Sequence, residues 1–357
     1  MTDLLLKLAI LVWPFGHLLD IFPFRLSFSL SLLDILASAI LLLSIPRLFA
    51  QKKKVAQYPL FTPIMIFLCI AILSLLVRLP FQEPTQTIRP FLYLGRLLVY
   101  FSLYFSLKLS SFKKYSEYFQ VSILVFVLLG LLQYLFFPDV SSLKYLGFDD
   151  HYYRLTVPLL DPNFTGAILS SVSLLLFAKN KFKSGSLLLI PLALTFSRAS
   201  YISFLIPLLI LAISRRKYIF LFLPLIPVIA LMLSPKPFGE GVNLLRTFSI
   251  FSRIGSAQEG IRLFLQRPVL GWGFNTLLSD TGRVGIDNSF IFLLATTGIV
   301  GFSSFIYFLY RALLYLAFPE RLAITSLLIH ALFNNTLFLP WIMAYFIFLL
   351  VRGERSR

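Results

Sequence analysis

The sequence predicts an all-α protein that crosses a membrane many times, and three observations support that prediction. The chain has 357 residues, of which 58% are hydrophobic and only 13% are charged. Soluble domains are usually about 45–50% apolar and about 25% charged. The mean hydropathy is +0.87, and the apolar residues form long continuous runs. Together these features exclude a soluble enzyme, a disordered chain and a disulfide scaffold.

Twelve apolar runs are candidate spanning helices of a single integral membrane domain, residues 1–357. A bilayer span needs about 20 mostly apolar residues. The runs lie at 4–21, 27–45, 59–79, 90–107, 118–137, 162–178, 185–197, 199–213, 218–234, 288–310, 321–338 and 340–351. We expect the first to be a spanning helix rather than a signal peptide, because it lacks a basic n-region and a small-residue cleavage site. The three short runs, 185–197, 199–213 and 340–351, indicate either half-helices or misplaced boundaries.

The net charge of +17 is informative once the 32 Lys and Arg residues are divided by predicted side. Cytoplasmic loops are enriched in Lys and Arg, and with both termini cytoplasmic every clustered run falls on that side. The inner set has 19 members: Lys7, Arg47, Lys52, Lys53, Lys54, Lys108, Lys113, Lys114, Lys179, Lys181, Lys183, Arg215, Arg216, Lys217, Arg311, Arg321, Arg352, Arg355 and Arg357. The outer set has eleven: Arg25, Arg78, Arg89, Lys144, Arg154, Lys236, Arg246, Arg253, Arg262, Arg267 and Arg283.

Orientation does not explain the outer set, because cations there oppose the positive-inside bias. Nine of its eleven members are Arg, whose planar fork suits phosphate and carboxylate. Arg96 and Arg198 lie within or at the edge of spans. No soluble domain is present to bind nucleic acid, so nucleic acid is excluded as a partner. The outer face is therefore predicted to bind an anion.

Two outer loops are long, at residues 138–161 and 235–287. Within the larger loop, apolar residues recur between Arg253 and Pro268, where proline ends the pattern. The segment predicts a helix that lies on the membrane face.

Arg198, in TFSRASY, falls between two of the short apolar runs. A guanidinium at that depth is costly and by default marks a functional site. The alternative is a structural arginine that extends to the outer interface. In the first outer loop, Asp161 and Asn163 are typical of a helix cap, and Arg154 is a candidate anion ligand.

Asp287 and Asn288 lie where the larger loop re-enters the membrane. Asp is a good helix N-cap, which is the interpretation that spacing favours, but it is equally suited to act as a general base. Gly271, Gly273, Gly298 and Gly301 allow either close backbone approach or small-residue helix packing.

These motifs occur in an order that resembles the O-antigen ligase/polymerase family of bacterial membrane glycosyltransferases. Ser197-Arg198 stands at a helix junction, and Arg253 opens the helix of the large loop. A Pro-x-x-Gly-x-Gly turn follows at 268–273, and then Asn288-Ser-Phe leads into the Gly298-x-x-Gly301 helix. The segments 154–163 and IHALFNNTLF around His330 resemble the family too. The resemblance extends from about residue 90 and is densest over 150–301.

The resemblance implies transfer of a glycan from undecaprenyl diphosphate to an acceptor hydroxyl. The reaction would take place at the periplasmic face of the bacterial cytoplasmic membrane, without a metal, cofactor or nucleotide sugar. Arg198 and Arg253 would hold the diphosphate, Arg154 would assist, and Asp287 would position or deprotonate the acceptor. The substrate-binding set also includes Arg262, Asn288 and His330. The acceptor would be a glycan or lipid A core, within a membrane lipid environment.

One position departs from the family pattern. Ligase members typically have His-Asn where this chain has Asp287-Asn288. The change weakens the prediction of lipid A core ligation and favours polymerase-type members or ligases of other glycans. His330 is either a substitute base or a structural histidine. A multi-span transporter, or a flippase of lipid-linked glycans, is the alternative function, with Asp20 and Asp34 as the main carboxylates available for ion coupling.

Overall fold

The computed structural model describes residues 2–24, 28–82, 84–110, 115–146, 148–149, 151–234, 240–279, 282–283 and 285–353. Position 235, where the larger loop is predicted to begin, lies outside these residues. So do six of the cations assigned to a side above: Arg25, Lys113, Lys114, Lys236, Arg355 and Arg357.

Helices make up most of the described chain, which confirms the all-α class. They are α1 (Thr2–Val12), α2 (Leu32–Ala50), α3 (Lys52–Ala56), α4 (Phe61–Arg78), α5 (Pro84–Leu109), α6 (Ser116–Phe136), α7 (Pro162–Ala178), α8 (Phe182–Leu187), α9 (Leu189–Leu194), α10 (Arg198–Arg215), α11 (Leu225–Leu233), α12 (Phe248–Gln266), α13 (Ser289–Tyr315), α14 (Phe318–His330) and α15 (Pro340–Gly353). Two short antiparallel hairpins interrupt them: β1 (Asp20–Phe24) with β2 (Phe28–Ser31), and β3 (Leu278–Ser279) with β4 (Gly282–Arg283).

Seven helical segments are long and apolar enough to cross a membrane, so the chain is a membrane protein. They are Thr2–Leu19, Leu32–Ala50, Phe61–Phe81, Ile88–Leu109, Glu117–Phe136, Arg198–Arg215 and Ser289–Tyr315. Four further apolar segments are shorter: Pro162–Ala178, Phe182–Leu194, Tyr218–Leu233 and Pro340–Gly353. Each of these eleven segments overlaps a run predicted from the sequence.

Three predicted runs differ from the structure. The run at 321–338 is not one continuous helix, because α14 ends at His330 and a short 3-10 helix follows at Thr336–Phe338. The run at 27–45 begins with strand β2, and α2 starts only at Leu32, because Ser31 and Asp34 form a reciprocal capping box with both bonds at 3.1 Å. The run at 199–213 was predicted to be short. The helix there, α10, has 18 residues because it continues to Arg215.

α7 is almost wholly buried and packs against α10 and α14, which also pack against each other. Ser170 Oγ on α7 lies 3.2 Å from Ser203 Oγ on α10 and 3.2 Å from Ser326 Oγ on α14. Small residues of this kind allow helices to pack closely in a membrane, where lipid is as apolar as the helix surface. The packing fixes the ends of these three helices relative to one another.

At one end of the bundle, α7 and α10 begin and α14 finishes. Asn163 Oδ1 accepts a 2.9 Å hydrogen bond from Ser197 Oγ, and the Phe164 ring is centred 6.5 Å from His330. We call this the arginine end, because four arginines lie there: Arg154, Arg198, Arg246 and Arg253.

At the other end, α7 and α10 finish and α14 begins. Arg215 donates to the Ala178 carbonyl at 3.3 Å, and Lys179 Nζ lies 2.5 Å from Glu320 Oε1. We call this the glutamate end.

A glycine contact fixes the turn that follows α12 against α13. Gly271 and Gly298 have φ angles of +69° and +65°, and their backbones meet. A Cβ on Gly298 would lie 2.2 Å from the Val269 carbonyl oxygen, which is closer than any side chain tolerates. The prediction of close backbone approach at these two glycines is confirmed. The contact sets where α12 lies over the arginine end.

Candidate functional site

One face of α12 connects the predicted catalytic residues. Ser249, Arg253 and Ser256 are spaced i, i+4 and i+7, so they share a face of the helix. Ser249 Oγ accepts a 2.7 Å hydrogen bond from Arg198 Nη2. Ser256 Oγ accepts a 2.9 Å hydrogen bond from the backbone N–H of Asp287. The two serines are about 10 Å apart along the helix axis, and Arg253 lies between them.

Arg253 extends from this face towards the end of α14. Its Nη2 donates to Asn334 Oδ1 at 3.1 Å, and Asn334 Nδ2 lies 3.4 Å from His330 Nε2. An amide NH₂ only donates, so Nε2 accepts and Nδ1 carries the ring proton. That Nδ1 lies 2.7 Å from Thr336 Oγ1. His330 is fully buried, so it positions Asn334 and does not face an open site.

Arg154 and Arg246 meet at the break between α9 and α10. Arg154 is 4% exposed, and its Nε donates to the Thr195 carbonyl at 2.9 Å. Nη2 of Arg154 and Nη2 of Arg246 both approach the Phe196 carbonyl, at 3.4 and 3.2 Å. The short break thus supplies two backbone acceptors that hold two guanidinium groups side by side.

Of the helices that begin at the arginine end, three are capped by a side chain. Asp161 caps α7, Ser197 caps α10 and Asn288 caps α13. A helix N-terminus carries partial positive charge, equivalent to roughly +0.5. These three termini add to the field of the arginines.

Asp287 lies near Arg253 and lines a cavity of about 350 Å³. The cavity is also lined by Tyr93, Phe274 and Asn335. Partial burial raises the pKa of Asp287, and the charge of Arg253 opposes that increase. A carboxylate in this setting is a better proton acceptor than an exposed one.

Carboxylates lie in the surroundings of Arg154 and Arg253, but they form no ion pair with these arginines among the described residues. Burial lowers the pKa of Arg253, while the Asp287 carboxylate opposes that shift and Arg198 adds to it. Burial, with Arg246 nearby, lowers the pKa of Arg154 to about 9. Within the described part of the chain, Arg154, Arg198 and Arg253 form no ion pair with a carboxylate, and all their hydrogen-bond acceptors are neutral oxygens. The site is therefore electropositive.

Two predicted substrate-binding residues do not face this group. Arg262 follows Arg253 by nine residues, about 180° around the helix, and pairs with Glu259 at 2.6 and 2.8 Å on an exposed face. Asn288 caps α13 through Oδ1, and its Nδ2 donates to the Leu332 carbonyl at 2.8 Å.

The interpretation of Asp287 as the helix cap was therefore wrong. The Asp287 carboxylate is not used to cap α13.

The contacting residues that were not predicted as site residues are mostly neutral: Asn163, Ser249, Ser256 and Asn334, together with Arg246, which was named only as one of the eleven outer cations. Helical spacing from Arg253 identifies both serines. Asn334 lies within the segment that resembles the family, but no charge distinguishes it. Asn163 was interpreted only as part of a helix cap. Its contact with Ser197 depends on how α7 packs against α10.

Comparison with known proteins gives no match to a family model or to a curated protein. The functional assignment therefore depends on the residues and their geometry.

Proposed function

We propose that the protein is an O-antigen ligase/polymerase-like glycosyltransferase of surface polysaccharide biosynthesis. It moves a glycan from undecaprenyl diphosphate to an acceptor hydroxyl at the membrane face. The observation that carries the proposal is the α12 face, on which Arg253 lies between the contacts to Arg198 and Asp287. Catalysis requires the groups that bind the donor and activate the acceptor to surround one reacting centre.

The donor diphosphate replaces the neutral oxygens as the hydrogen-bond acceptor of Arg198 and Arg253. Arg154 adds positive charge to the site. Hydrogen bonds to an ionised partner are roughly twice as strong as neutral ones, and guanidinium matches phosphate with two parallel bonds. During transfer, negative charge builds on the leaving diphosphate. Arginines fixed beforehand stabilise that charge in the transition state.

Asp287 acts on the acceptor. The acceptor oxygen forms a bond to the anomeric carbon of the donor glycan, while the bond from that carbon to the diphosphate oxygen breaks. The hydroxyl proton passes to the Asp287 carboxylate, and undecaprenyl diphosphate leaves. The arginines supply the charge stabilisation for these steps, so the proposal uses no cofactor.

The residue at position 287 also bears on which acceptor the protein uses. Asp287 stands where ligase members of the family typically have histidine. Its carboxylate favours extension of a growing glycan, or ligation to another acceptor, over ligation to lipid A core.

The proposed topology has twelve crossings, both termini in the cytoplasm and the arginine end in the periplasm of the bacterial cytoplasmic membrane. The positive-inside bias supports this orientation, because Lys179, Arg215 and Arg352 lie at the glutamate end. On α12, Ile254, Ile261 and Leu265 are exposed, which suits a helix at the membrane interface.

Transport is the competing function, and one contact disfavours an ion-coupled carrier. Asp34, a candidate coupling carboxylate, is bonded to Arg96 at 2.7 and 3.1 Å and is buried. A flippase for the same lipid-linked glycan would use arginines as well. It would change the side of the glycan without forming a glycosidic bond.

The test uses two arginines of the same helix. In a strain that lacks the gene, we expect surface polysaccharide to lose chain length or attachment. Wild-type protein and Arg262→Ala should restore it, while Arg253→Ala should not, at equal levels in the membrane. Restoration by Arg253→Ala would overturn the proposal, and accumulation of cytoplasm-facing lipid-linked glycan in the deletion strain would indicate the flippase.

A further inference from the structure

A groove on the side of the bundle near the glutamate end has features of a second binding site. It has a volume of about 530 Å³ and lies between α6, α7 and the α8–α9 segment. Its walls are mostly apolar, including Leu124, Val127, Leu128 and Leu131 of α6. We call it the lateral groove.

The length of the lateral groove matches one leaflet of a bilayer. Its lining on α6 runs from Phe119 to Leu131, twelve residues apart, which is about 18 Å of helix. The hydrocarbon core is about 30 Å thick, so one leaflet contributes about 15 Å. A single acyl chain is therefore long enough to fill the apolar part.

Cations line only one end of the groove. Lys179, Lys181 and Arg352 lie there, beside the neutral polar residues Gln120 and Ser184. This is the end that meets the headgroup region, because Lys179 follows the last residue of α7.

In the part of the chain that the structure describes, one carboxylate lies beside these cations. Glu320 lies 2.5 Å from Lys179 and 3.6 Å from Arg352. Among the described residues here, three cations accompany one carboxylate, which is a net charge of +2, and Lys181 is exposed. Basic pockets between membrane helices bind anionic lipid headgroups.

We propose that the lateral groove binds one phospholipid with an anionic headgroup. The phosphate lies among Lys181, Lys179 and Arg352, and an acyl chain lies along α6 towards Leu131. The charge at one end and the apolar walls beyond it match the two parts of such a lipid. This proposal does not depend on the glycosyltransferase activity or on the sidedness of the protein.

The first test is native mass spectrometry in mild detergent, with equal amounts of phosphatidylglycerol and phosphatidylcholine. Wild-type protein should retain one phosphatidylglycerol in preference to phosphatidylcholine. Lys181→Glu should reduce that preference at least about fivefold, since each lysine near a membrane surface contributes measurably to anionic lipid attraction. Lys183→Glu is the matched control, because Lys183 is also exposed but does not line the groove.

A second pair of variants tests the apolar part. Leu128→Trp fills the groove, while Leu132→Trp is the control, because Leu132 is exposed to a similar extent but lies outside it. Only the first should displace the retained lipid. Equal loss with Lys183→Glu, retention with Leu128→Trp, or a protein dimer in place of a bound lipid would overturn the proposal.

Discussion

The cations at the two ends of the bundle have different hydrogen-bond partners. At the glutamate end, Lys179 and Arg352 share the carboxylate of Glu320, which is 3% exposed. At the arginine end, Arg198 and Arg253 donate to neutral oxygens. A partly buried cation without a counter-charge is costly. The difference supports the proposal that Arg198 and Arg253 bind an anionic ligand, while Glu320 balances part of the charge at the glutamate end.

A third region, around Arg96, contains a buried arginine that forms an ion pair with a carboxylate of the protein. Arg96, 8% exposed, bonds to both oxygens of Asp34, and Tyr100 also donates to that carboxylate at 3.0 Å. Arg154 is buried to a similar extent, at 4% exposed, but it donates to backbone carbonyls instead of a carboxylate. Among the described residues, the absence of an ion pair on Arg154, Arg198 and Arg253 is therefore a local feature of the site.

The largest expected effect comes from Asp287. Burial raises the pKa of this carboxylate, so transfer should rise with pH through a value above the ordinary 3.9 or so for Asp. Asp287→Asn should reduce the rate by about 10²–10⁴-fold and remove that dependence. Asp287→His should restore a pH-dependent rate that rises through a pH of about 6.5, the ordinary pKa of histidine. A pH–rate profile of purified protein measures all three, and an unchanged profile for Asp287→Asn would contradict the assigned role.

The next effect compares the two ends of α10. Arg198→Ala should reduce transfer by about 10²–10³-fold, the usual consequence of removing one transition-state donor. Arg215→Ala, at the glutamate end of the same helix, should leave transfer near wild type. The measurement is the initial rate of glycan transfer at matched protein levels. Equal losses for both variants would remove the distinction between the ends.

Replacing Glu320 should lower the stability of the protein without changing the rate of glycan transfer. Glu320→Gln leaves Lys179 and Arg352 without their shared carboxylate, which should lower the free energy of unfolding by about 1–3 kcal/mol after allowance for their partial exposure. Thermal unfolding in detergent measures the loss. The rate per folded molecule should not change, and a selective loss of transfer without loss of stability would count against the comparison.

The smallest effect is expected at Asn334. Asn334→Ala removes one neutral acceptor of Arg253, so the guanidinium is less well positioned and transfer should fall roughly 3–10-fold. Thr325→Ala is the control, because the Thr325 hydroxyl donates to the Arg321 carbonyl within α14 and Thr325 does not line the cavity beside Asp287. A kinetic comparison of the two variants decides whether positioning by Asn334 matters.

The sequence located the helices well because long apolar runs report membrane spans directly. It placed the start of α2 incorrectly, since hydropathy does not register the capping box at Ser31 and Asp34. It predicted the membrane-face helix α12 from its apolar spacing. Both the helix and its exposed apolar residues are present, and its position at the interface stays a prediction.

The site was predictable only where charge marked it. Arg154, Arg198 and Arg253 were identified as cations on the predicted outer side. Arg262 was included for the same reason, but it is half a turn away on α12 and bonded to Glu259. Neutral residues such as Ser249 and Asn334 depend on tertiary packing, which no single segment encodes.

The most direct test of the central claim is the affinity for farnesyl diphosphate, a short polyprenyl diphosphate, measured by isothermal titration calorimetry on purified protein. A charge-assisted hydrogen bond contributes about 1.5–3 kcal/mol. Arg253→Ala should therefore weaken binding by about 10- to 100-fold, while Arg262→Ala should bind as wild type does. Equal affinities for wild type, Arg253→Ala and Arg262→Ala would contradict the account.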